Sequence, residues 1–527
     1  MCSTGAPAGV RQTARMSTAS TPPDQQSDRS VDTPSEQRTP PDPDPAGPDP
    51  AAAPTDPLGD DRRTALAERA RDLAPGLAEQ GVLGVLGVWV DNAGIARVKG
   101  FPLARLESVA ARGVGMSPVF DAFGIDDSIA ATPAGGPVGD LRLLPDLERL
   151  ARLTSQPGWA WVPVDRRRQD GSPHPQCSRL LLRRVADRLA GNGLTFLSAI
   201  EVEWVVGLPP APAVAGVRPA TSPTDPFVPA VSGSAYGAAR VVELSDHLAD
   251  VLVGLAAAGV EVEQIHPEYA TGQFEVSVAP ADPVGAADTS VLVRHVIRAT
   301  AARHGLRVSF APKVLAGDAG NGGHVHLSAW RDGRNLFASD PSAPPLAGEA
   351  GQFTAGVLTH LRALLALGAP GVASYLRLIP SHWAGAFAAW GPENRETALR
   401  VVGGGVGVGS RGANLEVKCF DLAANPYLAI AGLLAAGAAG IRSGAVLPPP
   451  VTVDPAGLST AERAAAGVWA LPSTLGAATD AFAADEVFTH VFGAELVETI
   501  TAVRRAEIDR LAGASEDEVV TATRWRY

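Results

Sequence analysis

The stretch Ser198-Ala-Ile-Glu201-Val-Glu203-Trp204-Val-Val206 holds two carboxylates one residue apart inside an apolar run. In a strand, side chains at positions i and i+2 project from the same face, so the pattern predicts that Glu201 and Glu203 converge on one point. Most Glu-x-Glu pairs lie on solvated strand edges, but the apolar neighbours here indicate burial, and an unpaired buried carboxylate is costly. The stretch therefore predicts a cationic partner supplied by the rest of the chain.

Length, charge and cysteine content exclude several classes of function. The chain has 527 residues, 46% of them hydrophobic, which is enough for two or three domains with a large core. A net charge of −12 disfavours nucleic acid as a partner. We expect no membrane association, because no signal peptide opens the chain and no apolar run reaches the ~18 residues that cross a bilayer. Cys2, Cys177 and Cys419 have no metal-binding or disulfide spacing, which predicts a cytoplasmic location.

Composition and periodicity predict three parts. Residues 1–58 are rich in Pro and Asp without apolar periodicity, which predicts a disordered tail, and Met16 is an alternative start. A small N-terminal domain is expected over 59–175 and a larger domain over 176–527. The elements predicted at their starts are a helix over 60–80, a β-hairpin over 82–98 with a turn at Asp91-Asn-Ala-Gly94, and a helix over 178–190 before the turn Gly191-Asn-Gly193.

Three downstream segments carry further metal-ligand residue types. They are His266-Pro-Glu268 with Glu275, Gly320-Asn-Gly-Gly-His324-Val-His326-Leu-Ser328, and Asn414-Leu-Glu416-Val-Lys418. Taken singly, each has an ordinary structural explanation, since a Gly-rich loop is usually a turn and a buried His is usually a core residue. Together with Glu201 and Glu203 they supply five Glu and a His, a set that favours Mg²⁺ or Mn²⁺ over Zn²⁺. Arginines at 377, 395 and 400 complete the equipment typical of phosphoryl transfer.

The order and spacing of these motifs resemble the glutamine synthetase superfamily. The resemblance runs from about residue 80 to the C-terminus and includes Ala311-Pro-Lys313, Asn394-Arg395 to Arg400, and Ala424-Asn-Pro-Tyr427. It implies an α+β fold in which a small β-grasp-like domain precedes a large catalytic domain with an antiparallel sheet flanked by helices. It also implies a ring of subunits, commonly a dodecamer, with active sites at subunit interfaces.

The resemblance further implies a two-step ligase reaction. The γ-carboxylate of glutamate attacks the terminal phosphate of ATP, and an amine then displaces phosphate from γ-glutamyl phosphate. One metal ion would be held by Glu203, Glu268 and Glu275, and the other by Glu201, His324 and Glu416. The implied ATP contacts are Glu263, His326, Ser328, Arg395 and Arg400, and the two arginines would also be catalytic. Gly320 and Arg377 would bind the glutamate substrate.

Departures from the family pattern concern the amine. Where ammonia-using members carry a Glu that closes the site, this chain has Trp383 or a neighbour of it. Trp383 can line a pocket for an organic amine, partly by cation–π attraction, or simply pack. Lys418 replaces an Arg that contacts substrate, in a chain whose only other lysines are Lys99 and Lys313. Asn414 and Ala319 stand where an Arg and an Asn are usual. These changes resemble the branch that makes γ-glutamyl amides of polyamines or other amines.

A neighbouring subunit in the family donates an Asp to the amine site. Asp121 is the best match for this catalytic residue, with Asp126 and Asp127 as rivals.

Three other functions remain open. The chain could be a glutamine synthetase that uses ammonia, or a non-catalytic ring-forming relative, although a scaffold has no use for so many mutually repelling carboxylates. A metal-dependent hydrolase built on His324-x-His326 would need further His and Asp ligands near the motif.

Overall fold

The computed structural model describes residues 58–136, 138–210, 221–338, 346–404, 407 and 409–527. The predicted tail over residues 1–58 lies outside the described residues except for Leu58. The predicted domain division at residue 175 stays a prediction.

The first part of the chain folds around one sheet. Its elements are α1 Asp60–Glu79, β1 Gly84–Val90, β2 Ala96–Pro102, α2 Leu106–Arg112, β3 Val114–Met116, β4 Leu141–Pro145, β5 Ala151–Leu153 and β6 Trp159–Arg167. The strands follow the order β2-β1-β6-β4-β3, with β5 added beside β6. The predicted hairpin is confirmed, since β1 and β2 pair antiparallel on either side of the turn at Asp91. β1 also pairs with β6 in parallel, as in a β-grasp arrangement. The predicted first helix is confirmed as α1.

The second part contains two sheets where we expected one. Its strands are β7 Thr195–Ile200, β8 Val202–Gly207, β9 Val262–Pro267, β10 Gln273–Val278, β11 Arg307–Ser309, β12 Val325–Arg331, β13 Arg334–Asn335, β14 Phe387–Pro392, β15 Thr397–Val402, β16 Asn414–Val417 and β17 Trp469–Ala470. A four-stranded antiparallel sheet has the order β11-β8-β10-β9. A seven-stranded sheet has the order β13-β12-β16-β15-β14-β17, with β7 beside β12, and all its pairs are antiparallel except β14 with β15.

Helices flank these sheets, as expected of the α+β fold. The helix predicted over 178–190 is observed as α3. The helices are α3 Ser178–Gly191, α4 Ala238–Glu243, α5 Ser245–Ala257, α6 Pro283–Arg303, α7 Gly348–Gly368, α8 Ser374–Arg377, α9 Pro426–Ser443, α10 Thr460–Ala465, α11 Leu475–Ala483, α12 Glu486–Phe492, α13 Ala494–Arg510 and α14 Glu516–Thr523.

Helix α9 is fastened to the N-terminal hairpin through its first turn. The Asn425 side chain caps the helix, since its Oδ1 accepts from the backbone N–H groups of Tyr427 and Leu428. Its Nδ2 donates to the carbonyls of Val90 and Asp91 in the hairpin, at 3.2 and 3.1 Å. One capping residue therefore ties the two parts of the chain together.

By length and composition, α9 is also able to cross a bilayer, contrary to the expectation that no apolar run is long enough. However, 72% of this segment is buried inside the protein. A buried core helix passes the same test, so α9 is weak evidence for a membrane span.

Helix α5 buries an imidazole whose titration should affect stability. His247 is buried, and neither of its ring nitrogens has a hydrogen-bond partner in the described part of the chain. Burial lowers the pKa of His247 to about 4, with a smaller contribution from His304. The folded state therefore binds fewer protons than the unfolded state between pH 4 and 6.5, and stability is lost as the pH falls through this window.

Replacing this imidazole should reduce the loss on acidification. We expect His247→Phe to lose about 2 kcal/mol less free energy of unfolding than the wild type between about pH 7.5 and pH 5. Urea unfolding of both proteins at the two pH values measures this difference. His490→Phe is the control, because that imidazole is exposed on α12. Equal losses in wild type and His247→Phe would contradict the prediction.

Candidate active site

A cavity of about 730 Å³ brings together most of the residues that the sequence singled out. Its wall combines carboxylates, basic groups and aromatic rings from both sheets and from the loops between their strands. The lining residues are Glu201, Glu203, Tyr236, Gln264, His266, Glu268, Tyr269, Gln273, Glu275, Lys313, Asp318, Ala319, Gly320, Gly322, His324, Arg377, Ile379, His382, Trp383, Ala384, Arg395, Arg400, Glu416 and Lys418.

Glu201 lies where the chain passes from one sheet to the other. β7 ends at Ile200 and pairs with β12, whereas β8 begins at Val202 and pairs with β10 and β11. The backbone N–H of Glu201 donates to the carbonyl of His324 at 3.0 Å. The prediction of a single strand through both glutamates is therefore wrong, but Glu201 and Glu203 both face the cavity.

The four-stranded sheet contributes a row of acidic residues. Glu275 on β10 lies opposite Glu203 on β8 and opposite His266 on β9. Ligand atoms of His266, Glu268 and Glu275 lie within 4.8 Å of one another. Burial and the neighbouring Glu275 raise the pKa of Glu203 to about 8, and burial also raises the pKa of Glu275. The carboxylates of this sheet therefore carry more negative charge than the neighbouring basic side chains neutralise.

The seven-stranded sheet contributes a second row, with alternating charge. Glu416 on β16 lies opposite His326 on β12 and opposite Arg400 on β15. Its carboxylate accepts from Arg400 at 2.9 Å and from Lys418 at 3.1 Å. Burial alone would raise the pKa of Glu416, but Lys418 and the two neighbouring imidazoles lower it to about 2. This carboxylate is therefore held ionised by protein cations.

Both imidazoles of the Gly-rich segment contact Glu201. His324 Nδ1 lies 2.8 Å from Glu201 Oε2, and His326 Nε2 lies 3.1 Å from Oε1. Ligand atoms of Glu201, His326 and Glu416 lie within 4.8 Å of one another, so His326 is as close to this cluster as His324, which was predicted as the ligand. The negative charge of Glu201 raises the pKa of His326 to about 9 against the effect of burial.

Close packing explains why a glycine stands at position 322, two residues before His324. A Cβ on Gly322 would lie 2.5 Å from His324 Nε2 and 2.7 Å from Glu203 Oε1, so a side chain there would displace both groups. The amide of Gln273 holds the same segment, because its Nε2 donates to Glu203 Oε2 at 2.8 Å and to the carbonyl of Gly320 at 3.0 Å. The loop thus brings its backbone directly against the acidic row.

Three aromatic rings form the aromatic lip of the cavity: Tyr236, Tyr269 and Trp383. Tyr269 and Trp383 stack with centroids 4.5 Å apart and an interplanar angle of 18°, and Tyr236 meets Tyr269 edge-on at 5.6 Å. Trp383 has a positive φ of 54°, and its backbone N–H donates to Glu396 Oε1 at 2.8 Å. The lip is joined to the acidic row, since Tyr236 Oη donates to Glu268.

The predicted basic residues all line the cavity. Arg377 is buried, and it donates to the carbonyls of Lys418 and Phe420 at 3.1 and 2.8 Å. Lys418 is buried and donates to Glu416. Arg395 is exposed at the cavity wall, and Arg400 bridges Glu416 and Glu393.

Three predicted residues do not line the cavity with their side chains. Glu263 is exposed on β9, and its neighbour Gln264 lines the cavity instead. Gln264 lies two residues from His266, so both side chains project from the same face of the strand. Ser328 accepts a hydrogen bond from Trp330 Nε1 at 2.8 Å, and the cavity lining does not include it. Like Ser328, His326 is absent from that lining, although it contacts Glu201.

Asp121 is not available for donation to a neighbouring subunit. Its side chain is fully buried, one oxygen accepts from Arg166, and the other lies 2.7 Å from His174 Nε2. Removing it from this pocket would leave a buried guanidinium without its carboxylate partner, which argues against a donated role for Asp121. Of the rivals, Asp126 bonds Ser128, and Asp127 is the most exposed, with an ion pair to Arg97.

Sequence reasoning missed the roles of Gln273, Tyr236 and Tyr269. Gln273 and Tyr269 lie within the predicted His266–Glu275 segment, so their position beside Glu268 and Glu275 was a usable signal. Tyr236 lies in a segment without apolar periodicity, and the sequence gives no sign that it returns to Glu268.

Comparisons with known proteins agree with this architecture. A profile described as glutamine synthetase, catalytic domain, matches residues 175–521, and one described as glutamine synthetase N-terminal domain matches residues 78–174. A gamma-glutamylpolyamine synthetase of Streptomyces coelicolor is 57% identical over 462 residues, which cover 87% of this chain and 97% of that protein. A glutamine synthetase of Methanocaldococcus jannaschii is 31% identical over 385 residues, covering 72% and 81%.

Solved structures give the same result. The crystal structure of a novel glutamine synthase homolog is 34% identical, with a TM-score of 0.74 over 85% of this chain and 99% of that chain. An ADP complex of GmaS is 29% identical, with a TM-score of 0.70 over 84% of this chain and 97% of that one. The fold is that of the glutamine synthetase homolog, and its cavity holds two carboxylate clusters. The chain belongs to the glutamine synthetase family.

Proposed function

We propose that the protein is an ATP-dependent ligase that joins glutamate to an organic amine of the polyamine type through γ-glutamyl phosphate. The observation that carries this proposal is Trp383, whose indole stands at the mouth of an acidic cavity and stacks on Tyr269. An indole can attract an alkylammonium group but cannot act as the base that ammonium requires. The similarity to a gamma-glutamylpolyamine synthetase supports the same substrate class.

The donor set fits two hard divalent cations, Mg²⁺ or Mn²⁺, because it consists mainly of carboxylate oxygens in two clusters at one cavity. We assign one ion to Glu203, Glu268 and Glu275. We assign the other to Glu201, His324 and Glu416, with His326 close enough to take part. Such ions, when bound, neutralise charge on phosphate and acceptor oxygens.

The basic residues supply the rest of the charge. We assign Arg395 and Arg400, which both line the cavity, to contacts with ATP and to neutralising the phosphoryl group in transfer. We assign His326 and Ser328, which both lie on β12, to further contacts with ATP. Arg377 would bind glutamate beside Gly320. Its Nε is buried without a hydrogen-bond partner among the described residues, and a carboxylate would satisfy it.

A ring assembly with shared sites, commonly a dodecamer, and a cytoplasmic location are further parts of this proposal. Asp127 is the exposed carboxylate that remains for a donated role. A glutamine synthetase that uses ammonia is the alternative within the same family.

Phosphate release from ATP in the presence of glutamate tests the proposal. The amines are ammonium, ethanolamine, putrescine, spermidine and an aromatic amine. We expect kcat/KM to be about tenfold or more higher for putrescine or spermidine than for ammonium, because only the larger amines reach the aromatic lip. Ammonium as the best substrate would make the protein a glutamine synthetase. Phosphate release that does not depend on any amine, or no release, would contradict the ligase.

A further inference from the structure

The three residues of the aromatic lip are about half exposed, although their rings contact one another. Tyr236, Tyr269 and Trp383 are exposed to 53, 46 and 47%, yet each ring contacts another of the three. Backbone and hydroxyl contacts hold them in place: Tyr236 Oη donates to Glu268, the N–H of Tyr269 donates to Glu268, and the N–H of Trp383 donates to Glu396. The rings are therefore positioned with their surfaces open to solvent at the cavity mouth.

The acidic groups beside the lip favour a cation as its ligand. Asp318 lines the same cavity, and its Oδ2 accepts from the N–H of Thr271, two residues after Tyr269. Ring faces with carboxylates nearby form the environment that binds alkylammonium groups. A reacting amine nitrogen must be uncharged when it attacks an acyl phosphate, so this environment suits a second nitrogen that stays protonated.

We propose that the aromatic lip binds the second, non-reacting ammonium group of a diamine or polyamine. The inference rests on the proposed ligase function and assigns the lip a separate task within it. The first nitrogen would enter the cavity toward the carboxylate rows, while Tyr269 and Trp383 hold the far end of the chain. Specificity would then depend on the presence of two cationic groups at the right separation.

A pair of matched amines separates this role from simple apolar packing. Putrescine and n-pentylamine have the same length, but a methyl group replaces the second ammonium in n-pentylamine. We expect Trp383→Ala and Tyr269→Ala to lower the ratio of kcat/KM for putrescine to that for n-pentylamine by about tenfold. Trp383→Phe should keep most of the ratio, because it keeps a ring face. The control is Trp469→Ala, which removes a 58% exposed indole that does not line the cavity.

Two results would overturn the subsite. One is an equal loss for both amines in Trp383→Ala, which would show that the lip acts by shape alone. The other is a ratio that none of the substitutions changes.

Binding measurements keep the subsite testable if the ligase proposal fails. If the wild type turns over no amine, calorimetric titration with putrescine and n-pentylamine tests whether the aromatic lip binds the second ammonium group. Putrescine binding that weakens about tenfold in Trp383→Ala would support the subsite without the ligase, whereas absence of putrescine binding would reject both.

Discussion

Glu416→Gln is expected to lower kcat for amine-dependent phosphate release by about a hundredfold or more. The carboxylate of Glu416 is buried and accepts from both Arg400 and Lys418. Its loss would remove a proposed metal ligand and the buried carboxylate that pairs with both Arg400 and Lys418. Because breaking a buried ion pair from one side is costly, we also expect the free energy of unfolding to fall by about 3 kcal/mol. Steady-state kinetics and urea unfolding measure the two effects.

Glu393→Gln is the matched control for this substitution. Glu393 also pairs with Arg400, at 2.7 Å, but its side chain is 57% exposed. An exposed pair contributes about 1 kcal/mol or less, so the control should stay close to the wild type in both measurements. Similar effects of the two substitutions would mean that Arg400, and not the buried carboxylate, determines activity.

The acidic site could be predicted from the sequence because its residues recur at strand spacing. Glu203, His266, Glu275, His326 and Glu416 all lie on strands, and cross-strand pairing places them in two rows. What the spacing could not give was the change of sheet at Glu201. Alternation describes side-chain direction within a strand, but partner strands from distant parts of the chain decide where the strand ends.

The differences between the predicted site and the observed cavity have one physical origin. Asp121 matched by position, yet Arg166 and His174 from later in the chain bury it. Glu263 differs from Gln264 by one residue, and a shift of one residue along a strand moves a side chain to the other face. Tyr236 and Tyr269 meet only through tertiary packing. Local pattern therefore predicted which residue types form the site, whereas long-range contacts decided which individual residues reach it.

The second large effect is expected for Glu203→Gln. Relative to the wild type, this substitution should raise the thermal stability of metal-free protein and lower it in the presence of Mg²⁺. In metal-free protein, Glu203 faces Glu275 across two paired strands, and burial with this repulsion raises the pKa of Glu203 to about 8. A raised carboxyl pKa means that folding costs more as the pH rises from 4.5 toward 8. Glu203→Gln removes that cost, so we expect the Tm of the EDTA-treated protein to rise by about 5 °C near neutral pH.

Added Mg²⁺ should reverse the order of the two proteins. A cation at about 1,000 times its Kd stabilises the folded state by about 4.1 kcal/mol, which exceeds the cost removed by Glu203→Gln, and the wild type should gain this amount. Glu203→Gln should gain little and should lose about a hundredfold or more in kcat, because it lacks a carboxylate from the proposed ion site. Thermal unfolding with EDTA and with Mg²⁺, together with the phosphate-release assay, gives all three values.

Glu263→Gln completes the comparison, because it removes the same charge from an exposed position on β9. It should follow the wild type in EDTA, in Mg²⁺ and in activity, since charge at that position neither repels Glu275 nor contacts the cavity. If Glu263→Gln abolishes Mg²⁺ stabilisation while Glu203→Gln keeps it, the ion site has been assigned to the wrong residue. If neither changes the response to Mg²⁺, the acidic row of the four-stranded sheet does not hold the ion. The lower stability expected of metal-free protein and the stabilisation expected from Mg²⁺ thus have one cause: carboxylates brought together by strand pairing with too few protein cations beside them.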